Sequence, residues 1–260
     1  MAILAIDTSL GTSVAVIDEL GETLSELVNL DRLAHVEVIG DFIARSLLMA
    51  RIEPAALSEI VIGVGPGPFT GLRVGIAAAK GFASGLGKTL LGVSSLDALA
   101  LQLYRGEDLS SFHRVRPGEF TTPKRPRKDS ANTSLESDTA TVSEVLSEIE
   151  QVDTVAPAGV IFQPEGHESI HLVTDARRRE VFQAHYLGLD HNGLPKRIGE
   201  LELLAGEAVP ASAITADWLS AVSLARYAQT ALAAGVELLE PNAIYLRQAD
   251  VTLSVPKRVS

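Results

Sequence analysis

The chain has no cysteine, which excludes disulfides, thiolate metal sites and cysteine nucleophiles and leaves the redox compartment open. No apolar run approaches the roughly 18 residues needed to span a membrane, although 46% of the residues are hydrophobic. The first residues, Met1-Ala2-Ile3-Leu4-Ala5-Ile6-Asp7, lack the basic lead-in of a signal peptide, and an acid interrupts them at once. Without a targeting signal the expected compartment is the cytoplasm, with no membrane association. Basic charge is also short, at 22 Lys and Arg against 33 Asp and Glu. A field of that sign repels phosphate backbones, so any contact with nucleic acid is expected to be made mostly by something else.

The 260 residues suffice for one large domain or two lobes with a substantial core. Residues 2–6 are continuously apolar and read as a buried strand. Thr12–Ile17 and Glu22–Asn29 continue an antiparallel meander, with turns at Asp7–Gly11 and Gly21. The period then changes. Val36, Ile39, Ile43 and Leu47, with Phe42 beside them, recur at helical spacing and predict an amphipathic helix over 34–50. A β-branched strand at Glu59–Val64 runs into the loop Gly65-Pro66-Gly67-Pro68, and Thr70 is expected to cap a helix over about 71–86 that is rich in Gly and Ala. Thr89–Val93 predicts another strand and Ser95–Tyr104 another helix. The order βββαβαβα predicts a mixed sheet flanked by helices, the half-molecule of the α/β two-lobed fold shared by actin, sugar kinases and the Hsp70 ATPase (ASKHA, RNase H-like).

The middle of the chain differs. Residues 105–141 read as a mobile insertion, because Pro, Ser, Thr and charge replace apolar periodicity. Arg114, Arg116, Lys124, Arg125, Arg127 and Lys128 give it a basic arm, and 129–153 hold seven acids and no base. Val142, Val145, Leu146 and Ile149 mark a short helix. The domain reading is therefore 1–104 as the first lobe, 105–141 as the insertion, and 142–260 as a smaller second lobe. Only two strands are evident in that lobe, Ser169–Thr174 and Val181–Tyr186, joined by the charged turn Asp175–Glu180. A helix over Trp218–Ala234 and a tail follow.

Asp7, Thr8, Ser9, Thr12 and Ser13 in the first turn are candidates for a nucleotide site. In this fold such a turn carries an acid for metal and hydroxyls for phosphate, but a turn that satisfies its own backbone has the same composition. Two other phosphate motifs fail. Gly87-Lys88-Thr89 lacks the upstream glycine of a P-loop, since position 82 is Phe82, and Gly63, Gly65 and Gly67 are followed by Pro68 where a dinucleotide fingerprint needs Gly or Ala. His35 stands alone at the head of its helix, where a capping or interface role is more common than metal ligation.

The run Gly65-Pro66-Gly67-Pro68-Phe69-Thr70-Gly71-Leu72-Arg73-Val74-Gly75, continuing to Ala79-Lys80-Gly81, resembles the TsaB (YeaZ) family. Asp7-Thr8-Ser9, the helix headed by His35, the hairpin Thr174-Asp175-Ala176-Arg177-Arg178 and the tail Pro241–Arg247 follow in that family's order. The resemblance covers 1–103, 169–187 and 241–250; it is poor over 105–160, and a glycine-rich strand-turn expected near 205–220 is missing. It implies a non-catalytic scaffold subunit that pairs with TsaD, and with the ATPase TsaE, to attach threonylcarbamoyl to adenosine 37 of tRNA. The tRNA is contacted only through the complex, and without TsaD a homodimer is an allowed state. The implied interface packs helices 34–50 and 71–86 against the matching pair in TsaD, through His35, Val36, Ile39 and Ile43 on one and Gly71, Gly75 and Ala79 on the other. The catalytic metal of TsaD is held by two histidines in a segment that here reads Ser94-Ser95-Leu96-Asp97-Ala98-Leu99, so Ser95 and Leu99 stand in their places. No catalytic residue, no metal and no required cofactor are implied, with weak nucleotide binding as the one allowance. The rivals are an active ATPase or sugar kinase of the fold, which needs a second phosphate loop and a catalytic acid that the second lobe does not show, a metal-dependent glycoprotease-like enzyme, and an RNA-binding module resting on the 114–128 arm.

Overall fold

A computed structural model describes residues 2–121 and 164–246. Strands β1 (Ala2–Asp7), β2 (Thr12–Asp18) and β3 (Thr23–Asn29) form the meander, with Ile3 opposite Ile17 and Ala15 opposite Glu26. Every residue of β1 is buried, as its unbroken apolar run requires of a strand covered on both faces. Helix α1 (His35–Ala50) crosses to β4 (Leu57–Gly63), α2 (Phe69–Leu86) to β5 (Leu90–Val93), and α3 (Ser95–Arg105) closes the first lobe. The sheet order is β3-β2-β1-β4-β5, parallel from β1 to β5. Helix α2 starts at Phe69 with Pro68 as its N-cap and no side-chain cap, so Thr70 lies inside the helix and does not cap it; the Pro68 carbonyl accepts the first helical bond, from the Leu72 amide at 3.2 Å.

The second sheet has five strands in the order β6-β10-β7-β8-β9: β6 (Phe112–Arg114), β7 (Ser169–Arg177), β8 (Glu180–Leu189), β9 (Pro195–Ala205) and β10 (Ile214–Ala216). Two of these were expected. Strand β9 was missed although Glu200-Leu201-Glu202-Leu203 alternates as a half-buried strand does, and β6 and β10 because three residues hold no period. Residues 105–121, assigned by composition to the insertion, carry β6 and the buried Phe120, so the second sheet begins inside that stretch. The arm Lys124–Lys128, the acidic run and the short helix at 142–149 lie outside the described residues. In the β7–β8 turn, Arg177, Arg178 and Arg179 all take positive φ, at 65°, 55° and 64°, a conformation that costs non-glycine residues energy; the Arg177 amide donates to Asp175 Oδ1 at 2.8 Å.

Two cores follow from this layering. One face of the first sheet packs on α1 and α2 through Leu4, Ile6, Ile43, Leu57, Ile60 and Ile76. Its other face, α3, the last helix α4 (Ala221–Ala233) and the second sheet share a continuous core that includes Leu96, Leu99, Tyr104, Leu172, Tyr186 and Leu224. Both sheets thus bury a face against the same pair of helices.

Candidate functional site

The β1–β2 turn is drawn inward. Asp7 Oδ1 accepts hydrogen bonds from the Ser9 amide at 2.7 Å and the Ser9 hydroxyl at 2.6 Å, and Oδ2 accepts one from the Ser95 hydroxyl at 2.6 Å. Ser95 Oγ in turn accepts from the Gly65 amide at 3.2 Å. A Cβ at Gly63 would collide with the Asp7 carboxylate, so glycine there makes the seat. Burial pushes the Asp7 carboxyl above its ordinary value, and the Ser9 and Ser95 donors pull it back.

The hydroxyls beside it are also engaged. Thr12 Oγ1 lies 2.8 Å from His35 Nδ1, and burial lowers the affinity of that imidazole for a proton. Ser13 Oγ accepts from the Ala221 amide at 2.9 Å and donates to Glu26 Oε1 at 3.2 Å. Glu26 also accepts the Ser220 hydroxyl at 2.7 Å and the Val222 amide at 3.5 Å, so a carboxylate from β3 holds the N-terminal end of α4. A helix N-terminus is where a phosphate is bound in many nucleotide sites; here that place is taken by Glu26, a residue the sequence reading did not single out. Trp218 and Leu219 line the same crevice as Asp7, Gly11, Thr12 and Ser13, and it is too tight to admit a water molecule. Thr8 Oγ1 is buried without a partner among the described residues, packed under α2, where a Cβ on Gly75 would collide with it.

Ser95 and Leu99, which the family resemblance aligns with metal-binding histidines, do not fit a metal. Ser95 is committed to Asp7 and the Gly65 amide, and Leu99 is 1% exposed inside the shared core. Thiolates are absent and a leucine side chain has no lone pair to give. Among the described residues no group of three or more His, Cys, Asp or Glu is arranged around a common point.

Of the residues expected at a partner interface, only Val36 is on the surface, at 68% exposure. His35, Ile39, Ile43, Gly71, Gly75 and Ala79 are buried within the chain. Gly71 and Gly75 let α2 approach the Thr8 and His35 side of the first turn, and Ala79, at 0% exposure, belongs to the first core. The small face of α2 therefore packs inward. A second set of small residues faces outward on the same two helices: Gly40 and Ala44 on α1, and Ala77, Gly81 and Gly85 on α2. Around Gly40, Gly81 and Gly85 there is open space.

Two further clusters escaped the sequence reading. Asp97 on α3 accepts the Tyr186 hydroxyl at 2.7 Å and Arg197 Nη1 at 2.9 and 3.1 Å, which pins α3 to β8 and β9. Burial pushes the Asp97 carboxyl up against the pull of Arg197, and the same burial holds the Tyr186 phenol well above its usual range. On the surface, Phe69, Arg73 and Tyr245 stack together. The signal for Asp97 was an acid inside the apolar run Leu96–Leu103; nothing in the sequence joined residue 73 to residue 245.

Comparisons with known proteins agree with this fold. Residues 29–111 match the family described as TsaD, tRNA N6-adenosine threonylcarbamoyltransferase. An uncharacterized protein of Mycobacterium tuberculosis is 40% identical over 102 residues, 38% of this chain and 48% of the relative. The protein of Bacillus subtilis named tRNA threonylcarbamoyladenosine biosynthesis protein TsaB is 36% identical over 101 residues, 38% of this chain and 44% of the relative. The chain thus aligns with less than half the length of these relatives. Among solved structures, YeaZ from Pseudomonas aeruginosa has a TM-score of 0.60 at 24% identity, covering 94% of this chain and 99% of that one. A second Pseudomonas aeruginosa structure, described as similar to peptidase YEAZ, has a TM-score of 0.63 at 23% identity, covering 95% and 99%. The resemblance to the TsaB (YeaZ) family is carried in sequence by the first lobe, and the described residues of both lobes share the two-lobed α/β fold of the YeaZ structures.

Proposed function

We propose, from this resemblance to TsaB (YeaZ) proteins, that the chain is a non-catalytic subunit in the biosynthesis of threonylcarbamoyladenosine in tRNA. It works in the cytoplasm by holding a TsaD-type transferase, with TsaE joining the assembly. The observation that carries the non-catalytic reading is the Asp7–Ser95 pair. The turn that in active members of the fold faces a metal and phosphates here turns its carboxylate onto its own serine. Glu26 fills the helix end where phosphate would bind, and Leu99 sits in a dry core. These features favour a scaffold over an ATPase, a sugar kinase or a metallopeptidase.

The outward faces of α1 and α2 are the surface offered to the transferase. Gly40, Ala44, Ala77 and Gly81 let a partner helix approach closely, while Val36 and Phe69 supply bulk at one end. This replaces the inward set Gly71, Gly75 and Ala79. Co-purification with the cognate transferase, followed by light scattering, tests the pairing: a one-to-one heterodimer is expected, and a chain that stays unpaired at micromolar concentrations of both proteins refutes it.

A further inference from the structure

The Phe69–Arg73–Tyr245 cluster has a more specific use than covering α2. The Arg73 guanidinium carbon lies 3.6 Å from the Phe69 ring centroid and 5.9 Å from that of Tyr245. Its Nε donates to the Tyr245 hydroxyl at 3.1 Å, and the two rings are 5.2 Å apart at 39°. Phe69 and Tyr245 are 48% and 47% exposed. Tyr245 is not on a loose end, since the tail pairs with the edge of β5 through reciprocal Leu239–Gly92 backbone bonds at 2.8 and 3.0 Å, and the Ile244 amide donates to the Val64 carbonyl at 2.8 Å. Lys80, one further stretch along α2, donates to Asn242 of the same tail at 3.0 Å.

An exposed arginine ordinarily loses rotamer freedom when it binds, and stacking that plane beforehand removes much of that cost. With Nε committed to Tyr245, the donors left on this exposed side chain are those of the end-on fork formed by Nη1 and Nη2. That fork matches two oxygens of one carboxylate. Helix α2 carries Arg73 and Lys80 and no acid over its 18 residues, although the chain as a whole has 33 acids against 22 bases. The strip is therefore locally positive, and complementary to an acidic surface. Phe69 against one face of the guanidinium and Tyr245 beside it present exposed aromatic carbon next to the charge, which suits the desolvated centre of a protein contact, where arginine and tyrosine dominate binding energy.

We propose that Arg73, held by Phe69 and Tyr245, is the anchoring residue of the partner interface and receives a carboxylate from a helix of the bound protein. The inference rests on the proposed function for the existence of that interface, and adds which residue dominates it and what chemistry it meets. The full-length chain and its variants are titrated into purified cognate TsaD-type transferase by calorimetry, with circular dichroism confirming the fold of each. Arg73→Ala is expected to weaken binding roughly tenfold to hundredfold. Arg73→Lys should lose nearly as much, because an ammonium keeps the charge and not the fork. Tyr245→Phe, which keeps the ring and removes the bond to Nε, should fall between wild type and Arg73→Ala. Ala77→Trp on the same helix serves as the control for the face itself. If Ala77→Trp abolishes binding while Arg73→Ala changes it less than twofold, the anchor is refuted and the interface stands. If neither variant alters the affinity, the α1–α2 surface is refuted together with the anchor. Intact transferase affinity with weakened binding of tRNA by Arg73→Ala would show that the fork serves a phosphate, which also overturns the proposal.

Discussion

The Ser95 hydroxyl donates a 2.6 Å hydrogen bond to Oδ2 of Asp7, tying the first turn of α3 to the end of β1 across 88 residues of chain. The contact joins the fold's first turn to the helix position that the TsaB-like resemblance aligns with a metal histidine. It lies in a buried environment, where a lost partner is costly. Ser95→Ala removes the one donor to Asp7 Oδ2 named above and leaves a small void, so the protein should lose about 1–3 kcal/mol of stability, read as a lower denaturant midpoint at unchanged slope. A variant as stable as the wild type would show that the pair is incidental.

Asp7 and Glu26 make stability depend on pH in a defined direction. In each, burial raises the folded-state pKa above the usual carboxylate value, so the folded protein keeps a proton that the unfolded chain releases. Their contribution is fully present below the unfolded values and is lost as pH rises through the folded ones. Glu26→Gln keeps the shape and removes the titration. Denaturant melts from pH 4 to pH 8 should therefore show a shallower decline for Glu26→Gln than for wild type. A steeper decline would contradict the assignment.

The Asp97–Arg197 pair holds α3 against the second sheet. Removing one partner of a buried pair strands the other, at about 3–5 kcal/mol; Arg197 is 30% exposed in its side chain, which places Arg197→Ala at the lower end, about 3 kcal/mol. Asp97→Ala together with Arg197→Ala should cost less than the sum of the two. Strict additivity in the double-mutant cycle would mean that the two side chains do not communicate.

Much of the first lobe could be read from the sequence because its signals are local. The apolar run 2–6 had to be a doubly covered strand, and the shift from period two to period 3.6 after Asn29 had to be a helix. What could not be read was direction. Helix α2 carries small residues on two faces, Gly75 with Ala79 and Ala77 with Gly81, and spacing alone does not say which face meets the sheet. Thr8 and His35 decide it, by needing room under Gly71 and Gly75, and that need arises only once β1, α1 and α2 are assembled. In the second sheet β6 and β10 are too brief to show a period, whereas the alternation Glu200-Leu201-Glu202-Leu203 in β9 was a legible strand signal that was overlooked. The pairing of Glu26 with the start of α4 joins residues nearly 200 apart, beyond any local pattern. The TsaB-like order of motifs was nevertheless visible, because the Gly65–Gly75 run is continuous.

The two faces of α2 give opposite expectations for enlargement. Ala79→Leu forces three heavy atoms into the packed first core and should destabilise the isolated chain by about 1–3 kcal/mol. Ala77→Trp projects into solvent and should leave thermal stability within about 0.5 kcal/mol of wild type, while weakening transferase binding by about one to two decades. Reversal of this pattern would place the interface on the inward face.

On the proposed function, this chain supports threonylcarbamoyl transfer without performing it. The most direct test is a single-turnover assay of threonylcarbamoyl transfer from its adenylate to tRNA, with purified chain alone, with transferase and TsaE alone, and with all three. The account predicts no product from the chain alone, product from the three together, and its loss when Ala77→Trp replaces the wild-type chain. Transfer by the chain alone, in a preparation shown by mass spectrometry to contain no transferase, would contradict it.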